Sequence, residues 1–174
     1  VSPRIHPSAF VAPGAVVVGD VEIGPESGIW YGCVVRGDVN AVRIGARTNI
    51  QDGTVIHVSG LGQGTFIGDE VTVGHMALVH ACTVESRAFV GMKSCVMDGA
   101  HVEGGAMVAA GALVTPGKRV PSGEVWGGNP ARRLREVRPE ELEGWVRSWT
   151  GYVEMARAHA QAAGDPAPPG FSPP

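Results

Sequence analysis

A chain of 174 residues, 44% of them hydrophobic, is long enough for one domain with a core and too short for two sizeable ones. Its formal net charge of -3 gives no basic footprint for a nucleic acid backbone, and no run of about 18 or more apolar residues offers a membrane span. The three cysteines, Cys33, Cys82 and Cys95, are odd in number and form no CxxC pair, which disfavours a disulfide framework; with no basic-then-hydrophobic leader in view, a soluble cytoplasmic protein with small-molecule partners is expected.

Taken in chain order, the first feature is a repeat. Ile or Val recurs every six residues at Ile5, Val11, Val17, Ile23, Ile29 and Val35. Three extra residues precede Ile44, Ile50 and Ile56, and five extra precede Ile67, Val73 and Val79. One short step then leads to Val84, from which the six-residue period runs unbroken to Val120. All nineteen positions are β-branched, and a small or short residue such as Ala15, Cys33, Thr54 or Ala77 stands two places before most of them. Each hexapeptide therefore reads as a short strand plus a tight corner, three of them closing a triangular coil with the aliphatic side chains stacked inside. The repeats predict about six coils, roughly 29 Å at about 4.8 Å per coil. A sandwich of short strands would instead show period-two alternation and irregular turn spacing.

At Pro139 the pattern changes. Leu142, Trp145, Val146, Trp149, Tyr152, Val153 and Ala156 follow the three-four spacing of an amphipathic helix, with Glu140 and Glu141 suited to its positive end. The expected organisation is a β-helix domain with its exit segment over residues 1–138, an amphipathic helix packed on it over 139–163, and a disordered tail over 164–174. The aromatic stripe of the helix is read as packing rather than as a ligand box.

The repeat also fixes where the histidines stand. His57 and His75 are 18 residues apart, nominally one coil, but five of those residues belong to the insertion after Ile56. Counted in repeats, His57 and His80 each stand one place after an inward residue on the same face, about 4.8 Å apart. Arg36 falls one coil below His57 in that column. On a second face Asp52 and His75 each stand two places after their inward residues, again one coil apart. A stacked pair on one face and a lone histidine on another cannot converge within one rigid prism, whereas a neighbouring prism around a threefold axis brings them together. Three histidines with an open fourth position are the catalytic arrangement for zinc. His6, His101 and His159 lack such company and are read as surface residues.

These histidines, with the motifs Arg36-Gly37-Asp38, Asn49-Ile50-Gln51-Asp52-Gly53 and the segment from Gly74-His75 to His80, resemble the γ-class carbonic anhydrases and their carbonic-anhydrase-like hexapeptide-repeat relatives. That family includes proteins named hexapeptide transferase or ferripyochelin-binding protein, and the resemblance covers roughly residues 4–160. It implies a mainly β protein, a left-handed parallel β-helix of hexapeptide repeats with a C-terminal α-helix, an exception to the usual right-handed crossover. It further implies a homotrimer in which His57, His75 and His80 bind zinc, with iron or cobalt as alternatives and His75 contributed across the interface. The implied reaction is reversible hydration of carbon dioxide to bicarbonate by zinc-bound hydroxide. Arg36, Asp38 and Asp52 are expected to form charged pairs at the subunit boundary, Gln51 to orient hydroxide or carbon dioxide, and Asn49 to assist it.

The chain departs from the family archetype in its proton exit. Val39 follows Asp38 where an acidic residue is usual, and residues 58–66 contain no carboxylate, so slow or buffer-dependent turnover is expected. Two other readings stay open: an acyltransferase or acyl-CoA thioesterase on the same scaffold, and a metal-loaded assembly subunit without turnover.

Overall fold

β-Branched side chains spaced six apart need an interior, and three flat parallel sheets joined edge to edge supply it. The computed structural model describes residues 2–164 and is a left-handed parallel β-helix, with Ile29, Ile50, Ile56, Val35, Val73 and Val90 among the fully buried side chains of one continuous core. Short residues at the corners tie one coil to the next. Ser27 Oγ donates to Gly45 O at 2.6 Å, Thr48 Oγ1 to Gly68 O at 2.7 Å and Thr54 Oγ1 to Gly74 O at 3.0 Å, so these buried hydroxyls are satisfied by the coil above.

The three faces carry different outward chemistry. The histidine face stacks Val55–His57, Leu78–His80, Cys95–Val96 and Leu113–Val114 on the first halves of the long strands Val16–Ile23 and Val34–Ile44. Those long strands bend round the corner onto the charged face, which continues through Thr65–Ile67 and Thr83–Val84, so the two faces form one 11-stranded sheet. The helix face is an 8-stranded sheet from Phe10–Val11 to Glu124–Gly127, closed by the antiparallel strand Arg132–Glu136. Glu124–Gly127 extends the stack past Val120, where the β-branched series stops, because Trp126 takes the register position of Val108 and packs against the core. All three interruptions of the period, after Val35, Ile56 and Val79, fall at the corner between the histidine and charged faces.

Outward residues on the charged face pair with one another, as in Arg43 with Asp20 at 3.1 Å and Arg4 with Glu22. On the histidine face the outward column is Val16, Val34, Val55, Leu78, Cys95 and Leu113, in register from coil to coil. Val16 is 50% exposed and Val55 38%, so among the described residues this apolar column has no cover.

Helix α1 (Pro139–Gly164) covers the helix face. Trp145 stacks on Phe89 with ring centroids 5.4 Å apart, and Tyr152 and His159 meet Trp30 edge-on at 5.3 and 5.2 Å. The aromatic stripe is therefore largely packing. Gly164, expected to open the tail, is instead the last residue of α1, because the helical hydrogen bonding carries on one residue past the expected end; residues 165–174 of that expected tail lie outside the described residues.

A charged clamp fixes the start of α1. Glu141, in the third helical position, accepts the Arg138 N–H at 2.8 Å, the return half of a capping box, and takes Arg135 Nη1 and Nη2 at 2.7 Å each. The Arg135 guanidinium, aided by that N–H, holds the Glu141 carboxyl down at about 2. A carboxylate depressed in the folded state stabilises fully above its ordinary value of 4.5 and loses that contribution as pH falls through about 2. The Tm deficit of Glu141→Gln should therefore be constant above about pH 5 and shrink toward zero by about pH 2. A deficit that grows on acidification would contradict the clamp.

Candidate metal centre

Sheet register brings the first two histidines together. Val55–His57 pairs with Leu78–His80 residue for residue, so His57 lies directly opposite His80, with ring centroids 5.1 Å apart. His57 Nδ1 faces His80 Nε2 at 3.2 Å. The outer nitrogens go to carboxylates: His57 Nε2–H donates to Asp38 Oδ1 at 2.9 Å, and His80 Nδ1–H to Asp98 Oδ1 at 2.7 Å. An ionised carboxylate only accepts, which assigns both tautomers. Arg36 pairs with Asp38, completing a line from Arg36 through Asp38, His57 and His80 to Asp98. The His57 bond first, and Arg36 second, hold the Asp38 carboxyl down at about 2.

The insertions at this corner make that contact possible. The residues added after Val35 lengthen Val34–Ile44 enough for Asp38 to turn back over His57. The loop after His57 is held by Asn40 Nδ2, which donates to Ser59 O at 3.2 Å and Gly62 O at 3.3 Å. Val39 and Leu61 stand exposed beside the pair, with no carboxylate among residues 58–66.

His75 occupies the corner between the helix and histidine faces. Met76 N–H donates to Asp52 O at 2.9 Å, fixing the two coils, and His75 Nδ1 meets Asp52 Oδ2 at 3.0 Å. Beside them Gln51 Nε2 donates to Asn49 Oδ1 at 2.9 Å, and Asn49 Nδ2 to Thr72 Oγ1 at 3.0 Å. Both amides are buried, and the Gln51 side-chain oxygen has no hydrogen-bond partner among the described residues.

Every histidine of the set is thus backed by one aspartate: His57 by Asp38, His80 by Asp98, His75 by Asp52. This is the arrangement that orients metal-bound imidazoles. It also sets the two ring nitrogens that no aspartate takes, His57 Nδ1 and His80 Nε2, 3.2 Å apart. That spacing matches the edge of about 3.3 Å between two nitrogens on tetrahedral zinc. The residues present fit such an ion. Within one chain they supply only part of its shell: among the described residues no three His, Cys, Asp or Glu side chains converge so as to hold a metal ion. Arg36 and Asp38 join His57, Asp52 joins His75, and Asn49 joins Gln51, but the His75 group stays apart from the His57 and His80 pair.

Asp98 lies one place beyond Met97, the residue in register with His80, because the coil from Val79 to Val96 is one residue short, so the hexapeptide spacing does not pair the two. Of the other three histidines, His6 is exposed and bonds to Ser8, His101 is half-buried against Glu85, and His159 is half-buried in the seam under α1, bonded to the Tyr31 hydroxyl at 2.8 Å.

Comparison with known proteins gives the same family signal. Residues 2–37 match the family Bacterial transferase hexapeptide (six repeats). The chain is similar to Gamma carbonic anhydrase 1, mitochondrial, of Arabidopsis thaliana, at 53% identity over 164 residues that take in 91% of this chain and 60% of that protein. It is similar to the carbonic anhydrase of Geobacillus kaustophilus at 43% identity over 157 residues, 90% of this chain and 85% of that one. A solved hexapeptide transferase family protein from Anaplasma phagocytophilum matches with a TM-score of 0.86 at 47% identity, covering 90% of this chain and 92% of that one. The chain spans only 60% of the length of the plant relative. No helix of the described residues is long and apolar enough to cross a membrane.

Proposed function

The chain belongs to the γ-carbonic anhydrase family, and from that premise we propose that it hydrates carbon dioxide reversibly to bicarbonate at metal centres shared between the subunits of a homotrimer. The observation that carries this reading is the pair of carboxylate-backed imidazoles, His57 and His80, with Nδ1 of one 3.2 Å from Nε2 of the other. His75, backed by Asp52, is the third ligand and comes from a neighbouring subunit. When bound, zinc supplies Lewis-acid activation of water near neutral pH, with iron or cobalt as alternative occupants.

The chain's own residues have separable tasks in this reading. Asp38, Asp98 and Asp52 orient the imidazoles, and Arg36 offsets the charge of Asp38. Gln51, fastened by Asn49, offers its free side-chain oxygen to orient carbon dioxide or its hydrated product. Val39, 58% exposed, and the carboxylate-free loop at 58–66 carry no proton, so buffer takes it from the site. Trimer formation draws its support from the uncovered apolar column from Val16 to Leu113, beside which the histidine pair lies. A cytoplasmic location belongs to the same reading; the free thiols Cys33, Cys82 and Cys95 suit any reducing compartment, and the plant relative is named as mitochondrial.

Acyl transfer or thioester hydrolysis is the competing reading, favoured by the name of the solved structural relative. A carboxylate-backed imidazole serves a general base equally well. Metal analysis decides between them. Zinc-loaded protein should hold about one ion per chain and hydrate carbon dioxide at a rate that climbs with buffer concentration. Under half an equivalent, together with acyl-CoA turnover by the metal-free protein, would sink the hydration reading.

Two substitutions probe the parts separately. Asp98→Ala should lower metal affinity roughly 10–100-fold with the fold unchanged, measured by competition with a chromogenic chelator. Leu78→Glu places a carboxylate on the apolar column, where unpaired burial is costly. Light scattering should find it dissociated, far-UV circular dichroism unchanged and metal binding lost; a metal-loaded Leu78→Glu monomer would refute the shared site.

A further inference from the structure

The corner between the charged and helix faces carries a column of residues one coil apart in left-handed conformation: Glu26 (φ 58°), Arg47 (φ 52°), Glu70 (φ 59°), Arg87 (φ 61°) and Gly105 (φ 73°). Its charges alternate, and the lower members are all paired. Arg157 of α1 meets Glu26, and Arg47 donates Nε and Nη2 to Glu70 Oε1 at 3.2 and 2.8 Å. Arg87 breaks the series. The carboxylate beneath it is already committed to Arg47, and the coil above it offers a glycine. Among the described residues Arg87 has no ion-pair partner.

The side chain missing at Gly105 leaves a cavity of about 440 Å³ between this corner and α1, walled by Arg87 and Gly105 on one side and Leu142, Trp145, Val146 and Trp149 on the other. The two indoles are pinned from behind. Trp145 stacks on Phe89 at 5.4 Å and 27°, and the Arg47 guanidinium lies over Trp149 at 5.8 Å. Leu142 and Val146 are 43% and 49% exposed, unusual for apolar residues facing a groove in their own fold. Backbone crowding does not demand the glycine: a Cβ at Gly105 would meet nothing nearer than Ser122 Oγ at 3.6 Å. Rigid aromatic walls with one unpaired cation are the composition of a small organic-anion site. In the triangular cross-section this corner is the vertex opposite the histidine face, so it stays at the periphery of the proposed trimer.

We propose that this cavity binds a small aromatic carboxylate, its ring against Trp145 and Trp149 between Leu142 and Val146, and its carboxylate on the Arg87 guanidinium. Glu70 does not compete, since Arg47 holds it. The site is independent of the metal centre and stands or falls without it.

The test titrates 2-naphthoate into the assembled full chain, followed by calorimetry and tryptophan fluorescence. Saturable binding of about one molecule per chain with quenching of the indoles is expected. Arg87→Ala should weaken it about tenfold or more, the loss of a charge-assisted hydrogen bond, and 2-naphthamide, of the same shape without the charge, should bind comparably weakly. Gly105→Gln puts a side chain into the cavity at a φ that Glu70 and Arg87 already adopt; it should abolish binding while Tm stays within a few degrees and metal loading is unchanged. Non-saturable uptake, equal affinity for acid and amide, or undiminished binding by Gly105→Gln would each overturn the proposal.

Discussion

In-register parallel stacking sets equivalent positions of successive coils about 4.8 Å apart, and nearly every feature of this protein is a consequence of that one spacing. A main-chain bond such as Leu78 N–H to Ser94 O, at 2.8 Å, repeats up each face and leaves no freedom for a coil to slip. Side chains then form columns. Hydroxyls reach the carbonyl of the next coil, arginines reach the glutamate of the next coil, and an imidazole reaches the aspartate of the next coil. The distance between coils suits a histidine–aspartate bond, which is why Asp52 with His75 and His80 with Asp98 arise from ordinary stacking rather than from specialised loops.

Because three faces share one core, each outer surface is free to take a different task. The charged face pairs its own residues and faces water, the helix face is covered by α1, and the histidine face keeps an apolar column. The histidine pair lies on the edge of that apolar column, and the lone His75 on its other edge. In the proposed trimer, binding chemistry and self-association share that strip of surface.

Much of this was legible in the sequence. The hexapeptide period announces the prism, and counting repeats instead of residues puts His57 under His80 and Asp52 under His75, as the register has them. What resisted was whatever lies off the period. Asp38 sits in an insertion, where no register tells how far the chain turns back, so its bond to His57 was not foreseen. Asp98 stands one place past Met97, the residue in register with His80, so the period does not mark it. The pairing of Gln51 with Asn49 depends on side-chain rotamers, which spacing does not encode. The strand Glu124–Gly127 and the last residue of α1 continue elements past the point where the sequence pattern fades.

The interruptions of the repeat have a further meaning. Additions of three and five residues and the loss of one all fall on a single vertex, while the other two vertices keep strict length. Mechanically the molecule is a rod with two fixed edges and one editable edge. The residues on that edge, Asp38 among them, can lengthen, shorten or change identity without disturbing the stacking elsewhere. Descendants of such a chain can therefore diverge in the surroundings of His57 while inheriting an unaltered frame, and a designer seeking to splice in a new loop has one address at which to do so.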